Sequence, residues 1–373
     1  MEKIVLIPDS FKGSMTSLEV CTIMERAIQR HFPECEVISL PMGDGGEGST
    51  EAFLASSGGA QISKVVSGPH FEKIEATYVI KEDFALIEMA SAAGLPLVKG
   101  ERHPELATTY GVGELVLDAL KRGCKRVAVG LGGSATVDGG VGIASALGVQ
   151  FINRKGESFI PTGGSLKEIV KIDLSTKSPL LEEIELLGLC DVVNPLLGER
   201  GASTVFGPQK GASPPLVKEL EGQLTHLSHL YEDSSVANLP GSGAAGGMGG
   251  GLVALLGATL VGGTEFFISQ LNLNSHLKGA DLVITGEGKI DSQSLGGKVV
   301  KGVAQYAKDR GVPVIAVVGD IGEGIEEFYK LGVNAIFSIN RVALPLEAAL
   351  KRSKEDLYLT LDNLMRLLKL VSP

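Results

Sequence analysis

The segment at residues 130–140 (GLGGSATVDGG) has a composition suited to binding an anion. It follows an apolar run and precedes a run of small residues, which predicts the order strand, glycine loop, helix. In that arrangement backbone N–H groups can converge on a phosphate, because glycine permits positive φ and close approach of a ligand. Gly132, Gly133 and Ser134 are therefore candidate phosphate contacts. Asp138, just past the turn, can cap the helix or hold a metal ion.

This loop contains no lysine, so its positive charge must come from another part of the chain. Lys12 is the first candidate, in the segment 9–14 (DSFKGS) that follows the first apolar run. A lysine near the N-terminus of the next helix is mildly unfavourable unless an anion lies beside it. Ser10, in the same segment, is a candidate substrate contact.

The segment 43–48 (GDGGEG) has the glycine spacing of a dinucleotide-binding loop. It follows the second predicted strand rather than the first, and Asp44 and Glu47 would set negative charge against a pyrophosphate. We therefore reject a nicotinamide dehydrogenase. Asp44 is better suited to Mg²⁺ or to a substrate hydroxyl.

Two further loops carry charged candidates after apolar runs. Asp191, with Asn194 nearby, could serve as a general base or a metal ligand. Lys210 lies in a glycine-containing loop from which it can reach a phosphate. Lys289 lies in the charged glycine segment 286–294 (GEGKIDSQS).

Backbone amides, lysines and aspartates in such loops are the groups that phosphoryl transfer requires. The chain lacks the G-x-x-x-x-G-K-[ST] sequence, the protein-kinase signature set and the G-x-S-x-G elbow. Mechanisms built on a P-loop, a protein-kinase site or a nucleophile elbow are thereby excluded.

The elements that would position these loops alternate at both ends of the chain. Apolar runs at 3–7 and 36–40 alternate with helical patterns, and runs at 282–285, 314–318 and 335–338 resume that alternation. Strands that alternate with helices predict a parallel sheet, whose carboxyl edge binds ligands.

The middle of the chain has a different pattern, with strand-like runs at 62–67, 74–80 and 84–89 that indicate a mixed or antiparallel sheet. We predict an α/β fold of two domains. A doubly wound, Rossmann-like parallel-sheet domain takes residues 1–70 and 262–373, and a mixed α/β domain of residues 71–261 is inserted. The site is expected in the cleft between them.

The composition of the 373 residues restricts the partners. A net charge of −10 argues against binding nucleic acid or an anionic membrane surface. No apolar run reaches the length of about 18 residues that a membrane-spanning helix needs. The four scattered cysteines form no C-x-x-C pair, so reduced thiols and a cytoplasmic location are expected. A homodimer is a further possibility.

Seven motifs in order resemble the bacterial glycerate kinase family of type I. They are PDSFKGS (8–14), PMGDGGEGS (41–49), GLGGSATVDGG (130–140), CDVVNPL (190–196), VFGPQKGA (205–212), GAAGGMG (243–249) and ADLVITGEGKIDSQS (280–294). The resemblance covers essentially the whole chain. Gly43, Val137 and Val193 depart from the pattern, and the two valines weaken metal binding through side chains in their loops.

The resemblance implies ATP- and Mg²⁺-dependent phosphorylation of D-glycerate at its 2-hydroxyl, in a two-domain α/β fold with a discontinuous first domain. The roles we assign on this basis cover every candidate residue. Asp191 activates the attacking hydroxyl with Lys12 as the second catalytic group; Ser10, Asp44, Lys210 and Asn194 bind substrate; Gly132, Gly133, Ser134 and Lys289 bind ATP phosphates; Asp138 and Asp44 hold the metal.

Two alternatives stay open at this point. The chain could phosphorylate the 3-hydroxyl or a related small hydroxy acid, since regiochemistry depends on the pose of the substrate. It could also be a small-molecule sensor without catalysis.

Overall fold

A computed structural model describes residues 1–292, 294 and 299–371. The strands are β1 (Lys3–Pro8), β2 (Glu36–Ser39), β3 (Ala60–Ser67), β4 (Lys73–Lys81), β5 (Phe84–Glu88), β6 (Arg126–Gly130), β7 (Gln150–Asn153), β8 (Ser158–Phe159), β9 (Ile169–Asp173), β10 (Glu185–Leu189), β11 (Thr259–Val261), β12 (Leu282–Gly286), β13 (Lys289–Ile290), β14 (Val314–Val318), β15 (Asp320–Ile321) and β16 (Val333–Ser338).

Helices alternate with strands along much of the chain, whereas β3, β4 and β5 follow one another directly. They are α1 (Ser17–His31), α2 (Ser49–Ser57), α3 (Ala90–Ala93), α4 (Tyr110–Lys121), α5 (Val141–Ala146), α6 (Ala202–Phe206), α7 (Pro214–His229), α8 (Ala244–Leu256), α9 (Gly263–Gln270), α10 (Leu273–Leu277), α11 (Val299–Lys308), α12 (Glu326–Leu331) and α13 (Leu346–Val371).

The chain divides into two compact units. Unit 1 comprises Met1–Asp44, Glu51–Gly58 and Gly262–Pro373, and unit 2 comprises Gly45–Thr50 and Gly59–Val261. Unit 1 contains the parallel sheet β16-β14-β12-β1-β2. Strand β2 lies on one side of β1, and the later strands lie on the other. This reversal of strand order is that of a doubly wound fold, so the α/β prediction is confirmed.

Strand β14 shows why unit 1 buries both faces of its sheet. Ile315 and Val317 join the core formed with α1 and α13, whereas Ala316 and Val318 join the core formed with α11 and α12. Successive side chains of a strand point to opposite faces, so a strand covered on both sides must be apolar throughout. The uninterrupted apolar runs at both chain ends have this cause.

Unit 2 contains the mixed sheet β11-β10-β6-β5-β4-β3 and the small sheet β8-β7-β9. Strands β5, β6, β10 and β11 are parallel to one another. Strands β3, β4 and β5 are antiparallel, as the pattern of the middle segment predicted. The hairpin of β3 and β4 places residues 60–67 in this sheet. The predicted domain boundaries near residues 70 and 262 stay predictions.

The described helices include none with the length and apolarity that crossing a membrane requires. All four cysteines are free thiols; Cys21, Cys35 and Cys124 are buried, and Cys190 is half-buried.

Candidate active site

In unit 1 the strand order reverses between β1 and β12. These strands pair in register up to Pro8 and Gly286, so Asp9 and Glu287 are the first residues beyond the sheet on either side of the reversal. Open parallel sheets bind ligands at this edge. Both side chains belong to buried residues, 6% and 3% exposed. These two buried carboxyl groups interact electrostatically, which affects the pKa of Asp9.

The carboxyl group of Asp9 is held close to its own backbone. Its Oδ1 accepts a hydrogen bond from the N–H of Ser10 at 2.6 Å, and its own N–H donates to the carbonyl of Gly286 at 2.8 Å. Burial raises the pKa of Asp9 to about 7, and the charges of Asp44 and Glu287 act in the same direction. A carboxyl group with a pKa near 7 is suited to general acid–base chemistry.

Lys12 and Asp44, both predicted site residues, form an ion pair in unit 1. The Lys12 Nζ lies 2.6 Å from Asp44 Oδ2; the lysine side chain is 70% exposed and the carboxylate 21%. The charge of Lys12 opposes the rise in the pKa of Asp9. The structure therefore brings together Lys12, Asp44 and Ser10 of the predicted site, together with the unassigned Asp9.

Lys289 lies beyond β12 and is exposed in this structure. Its Nζ is 3.3 Å from Asp291 Oδ2, which makes a local ion pair. Of the segment 286–294, Gln293 lies outside the described residues. A role for Lys289 at ATP phosphates stays a prediction.

In unit 2 the loop after β6 is in contact with the segment 45–50. The N–H of Gly132 donates to the carbonyl of Gly45 at 3.3 Å, and a Cβ on Gly130 would lie 2.2 Å from that same carbonyl oxygen. The segment is further held by Glu88, whose Oε1 accepts from the N–H and hydroxyl of Thr50 at 2.7 and 2.8 Å. Glycine at position 130 thus serves the packing of two loops.

Asp138 caps α5 in this structure. Asp138 is fully buried. Its carboxylate accepts hydrogen bonds from the N–H and hydroxyl of Thr109, both at 2.8 Å, and from the N–H groups of Gly140 at 3.1 Å and Gly142 at 3.3 Å. An internal carboxylate thus takes the amide groups at the helix N-terminus that a phosphate would need. Of the two roles expected for Asp138, these hydrogen bonds are those of the cap, and the role as a metal ligand stays a prediction.

The accessible part of the predicted phosphate loop is correspondingly small. Gly133 is exposed and Gly132 is half-buried, whereas Ser134 and the six residues after it are buried. The tip of the loop, at Gly132 and Gly133, is its most accessible part.

Lys210 brings an amino group to the loop, which contains no lysine of its own. The residue is 2% exposed, and its Nζ donates to Ser134 Oγ at 2.8 Å and to the carbonyl of Thr136 at 2.6 Å. Burial lowers the pKa of Lys210 to about 7, and the charge of Asp138 opposes this shift. The turn after α6 directs the Lys210 side chain to the loop, and the expectation that Lys12 supplies positive charge there stays a prediction.

The remaining predicted residues follow β10. Asp191 is half-buried, and Val192 and Val193 beside it are exposed. The side-chain amide of Asn194 donates to the backbone carbonyl of Arg200 at 2.7 Å. The backbone carbonyl of Asn194 accepts from Gly243 N–H at 3.0 Å. Asn194 therefore shapes the loop that carries Asp191.

The described residues contain no group of three or more histidine, cysteine, aspartate or glutamate side chains arranged to hold a metal ion. Mg²⁺ in kinases is usually bound by one or two carboxylates, with phosphate oxygens and water completing the octahedron. Asp44, partly exposed and electrostatically coupled to Asp9, fits that limited protein contribution.

A model of the glycerate kinase family matches residues 4–369. The chain belongs to the glycerate kinase family. A glycerate kinase of Bacillus cereus is 44% identical over 99% of both chains. A glycerate 2-kinase of Escherichia coli is 44% identical over 90% of both. The crystal structure of a candidate glycerate kinase 2 from Salmonella typhimurium LT2 superposes with a TM-score of 0.85 at 40% identity, covering 99% of this chain and 98% of that one.

No role was predicted from the sequence for two carboxylates at this sheet edge, Asp9 and Glu287. Asp9 and Glu287 are each the first residue after a strand, and the two strands are neighbours only because the ends of the chain share one sheet. The signal was present in the sequence as a carboxylate directly after an apolar run. Pairing the two required knowing that β1 lies beside β12.

Proposed function

We propose that this glycerate kinase family member transfers the γ-phosphoryl group of ATP to the 2-hydroxyl of D-glycerate. The observation that carries the proposal is the group formed by Asp9, Lys12, Asp44 and Glu287 at the reversal point of the parallel sheet. Carboxylates and a lysine at that edge suit a reaction that moves a proton and a multiply charged phosphate. The name of the Escherichia coli relative supports the choice of the 2-hydroxyl.

Asp191 is proposed to accept the proton of the attacking hydroxyl. It is half-buried and follows the end of a parallel strand. Asp9 is the competing base, because its pKa of about 7 lies close to physiological pH. Lys12 and Lys210 provide positive charge for the carboxylate of the substrate or for phosphate.

The tip of the glycine loop at Gly132 and Gly133, with Ser134 and Lys289, is proposed to bind the phosphates of ATP. Asp44 would hold Mg²⁺, which when bound neutralises charge on the phosphates. Asp138 is not carried into this role, because its carboxylate already caps α5. The inter-domain cleft, the homodimer and the cytoplasmic location stay predictions.

Phosphorus NMR of the reaction of the protein with ATP, Mg²⁺ and D-glycerate tests the proposal. The expected product is 2-phosphoglycerate with release of ADP. Formation of 3-phosphoglycerate would support the alternative regiochemistry. Binding of D-glycerate without any product would support a sensor and contradict the kinase.

The Asp191→Asn variant tests the identity of the base. We expect kcat to fall by about two to four orders of magnitude, which is what loss of a general base typically costs. The matched variant is Asp9→Asn, measured in the same assay. A near-normal kcat in Asp191→Asn, together with a large loss in Asp9→Asn, would transfer the role to Asp9.

A further inference from the structure

A recess in unit 2 is lined, among the described residues, by basic and aliphatic side chains. Four of its eight lining residues are His70, Arg102, His103 and Lys210, and the other four are aliphatic. None of the described residues that line it is acidic, although the chain carries a net charge of −10. A surface that is basic against an acidic background attracts anions.

Lys210 and Arg102 are held beside each other. The Arg102 guanidinium donates to the carbonyl of Gln209 at 2.8 Å, one residue before Lys210. On the other side of Lys210, a Cβ on Gly211 would lie 2.6 Å from the Arg102 Cβ, so the two backbones are in close contact. A guanidinium has five N–H donors, so this bond orients Arg102 and leaves donors for a ligand.

His103 is oriented by acidic neighbours that lie outside the lining. Its Nδ1 is 3.1 Å from Glu105 Oε1, and its Nε2 is 3.7 Å from Glu101 Oε2. The hydrogen bond to Glu105 orients the ring at the rim of the recess, where His103 is 47% exposed. The basic groups are thus positioned by bonds to the rest of unit 2.

The size of the recess restricts its ligand. It contains about 150 Å³ of empty space, part of which is open to solvent. The recess has no enclosed space for even a water-sized group, so a ligand would contact it from its open side, where Arg102 and His103 are exposed. The recess also adjoins the glycine loop, since Ala135 lines it and Lys210 donates to Ser134.

We propose that this recess binds the carboxylate of a small hydroxy acid, with Arg102 and His103 as binding residues that supplement Lys210. The proposal rests on the proposed function for the identity of that acid, D-glycerate. Planar guanidinium groups recognise carboxylates through two parallel hydrogen bonds, which would give Arg102 the largest share of the recognition.

The test compares Arg102→Gln with Lys99→Gln. Lys99 is exposed, lies on the same segment and does not line the recess, so the control removes the same charge. Binding is measured by isothermal titration with D-glycerate and with glycerol, which has no carboxylate. Turnover is measured as KM for D-glycerate and for ATP.

Arg102→Gln is expected to raise both Kd and KM for D-glycerate about tenfold or more, with KM for ATP unchanged, because a charge-assisted hydrogen bond is lost. His103→Gln should act in the same direction, and Lys99→Gln should stay within about twofold of the parent protein. Glycerol should bind far more weakly than D-glycerate.

The possible failures are distinguishable. If Arg102→Gln and His103→Gln both leave the Kd for D-glycerate within about twofold, the recess proposal is overturned while the kinase proposal stands on its product. If the parent binds D-glycerate through Arg102 but forms no phosphorylated product, the kinase proposal fails and the recess stands. A parent protein that does not bind D-glycerate overturns both.

Discussion

Asp9 is a residue whose ionisation opposes folding. In an unfolded chain its carboxyl group titrates near 3.8, and in the folded protein burial and neighbouring carboxylates raise its pKa to about 7. Between these values the unfolded chain releases the proton while the folded protein keeps it. The free energy of unfolding therefore decreases as pH rises through this window, and the loss is complete above pH 7.

Asp9→Asn should accordingly stabilise the protein at pH 8. The amide has the same shape, and its oxygen can still accept from Ser10 N–H. We expect a gain of up to about 4 kcal/mol at pH 8 and a much smaller gain at pH 4.5. Urea unfolding at the two pH values measures this difference.

Asp281→Asn is the control of opposite sign for the same measurement. The backbone N–H groups of Lys3 and Glu2 lower the pKa of the exposed Asp281, so its neutralisation should reduce stability at pH 8. Equal gains from Asp9→Asn at both pH values would contradict a raised pKa in the folded protein.

The site residues of unit 1 were easier to predict from the sequence than those of unit 2. Lys12 and Asp44 each follow a strand near the chain start, so sequence order alone brings them to one sheet edge. The contact of Lys210 with Ser134 spans 76 positions and depends on how the turn after α6 packs. The capping of α5 by Asp138 was one of two expected roles, and its contact with Thr109, 29 positions away, could not be read from the sequence.

At the scale of elements, the glycine-rich run before residue 252 is itself part of a helix. Helix α8 begins at Ala244, within this glycine-rich run. Ala245, Gly246 and Gly247 adopt left-handed φ/ψ values inside it. The glycines permit this left-handed kink, which packs closely on the loop 130–140.

Gly246 is the residue in which this packing is tightest. A Cβ there would lie 1.9 Å from the carbonyl oxygen of Thr136, and the carbonyl of Gly246 accepts from Gly139 N–H at 3.0 Å. Because these contacts join backbone to backbone, a shift of α8 would disturb the loop 130–140, and a shift of the loop would disturb α8. The glycines of α8 thus fix the position of the candidate phosphate loop.

Gly246→Ala should therefore destabilise the protein far more than Gly257→Ala. Both glycines have positive φ, but a Cβ on Gly257 would meet nothing within 4 Å. Gly257→Ala should cost about 1–2 kcal/mol for the left-handed backbone alone. Gly246→Ala should cost at least about 2 kcal/mol more, because of overpacking. Denaturant unfolding of both variants measures the difference, and equal losses would contradict the steric explanation.

At the scale of the whole molecule, the parallel sheet of unit 1 is made from the two ends of the chain. β1 pairs with β2 on one side and with β12 on the other, so its second partner is supplied by the C-terminal part. The helices α1 and α13, also from opposite ends, bury the same core and are linked by His31 and Asp362 at 2.8 Å. Unit 1 therefore requires both ends of the chain.

A chain truncated after Val261 should show this dependence. It contains every strand of the mixed sheet but lacks β12, β14 and β16. We expect residues 59–261 to keep slow amide exchange and residues 3–39 to exchange rapidly, as measured by mass spectrometry against the full chain. Protection of residues 3–39 equal to that in the full chain would contradict the required participation of both ends.

The split of unit 1 also has a consequence during synthesis. Between the end of β2 at Ser39 and the start of β12 at Leu282 the ribosome adds about 240 residues, which takes roughly 12–48 s at about 5–20 residues per second. Throughout that interval the apolar β1 exposes a strand edge to other chains. We expect chaperones to bind most during this interval, because β1 and β2 are made first but gain their C-terminal partner strand last.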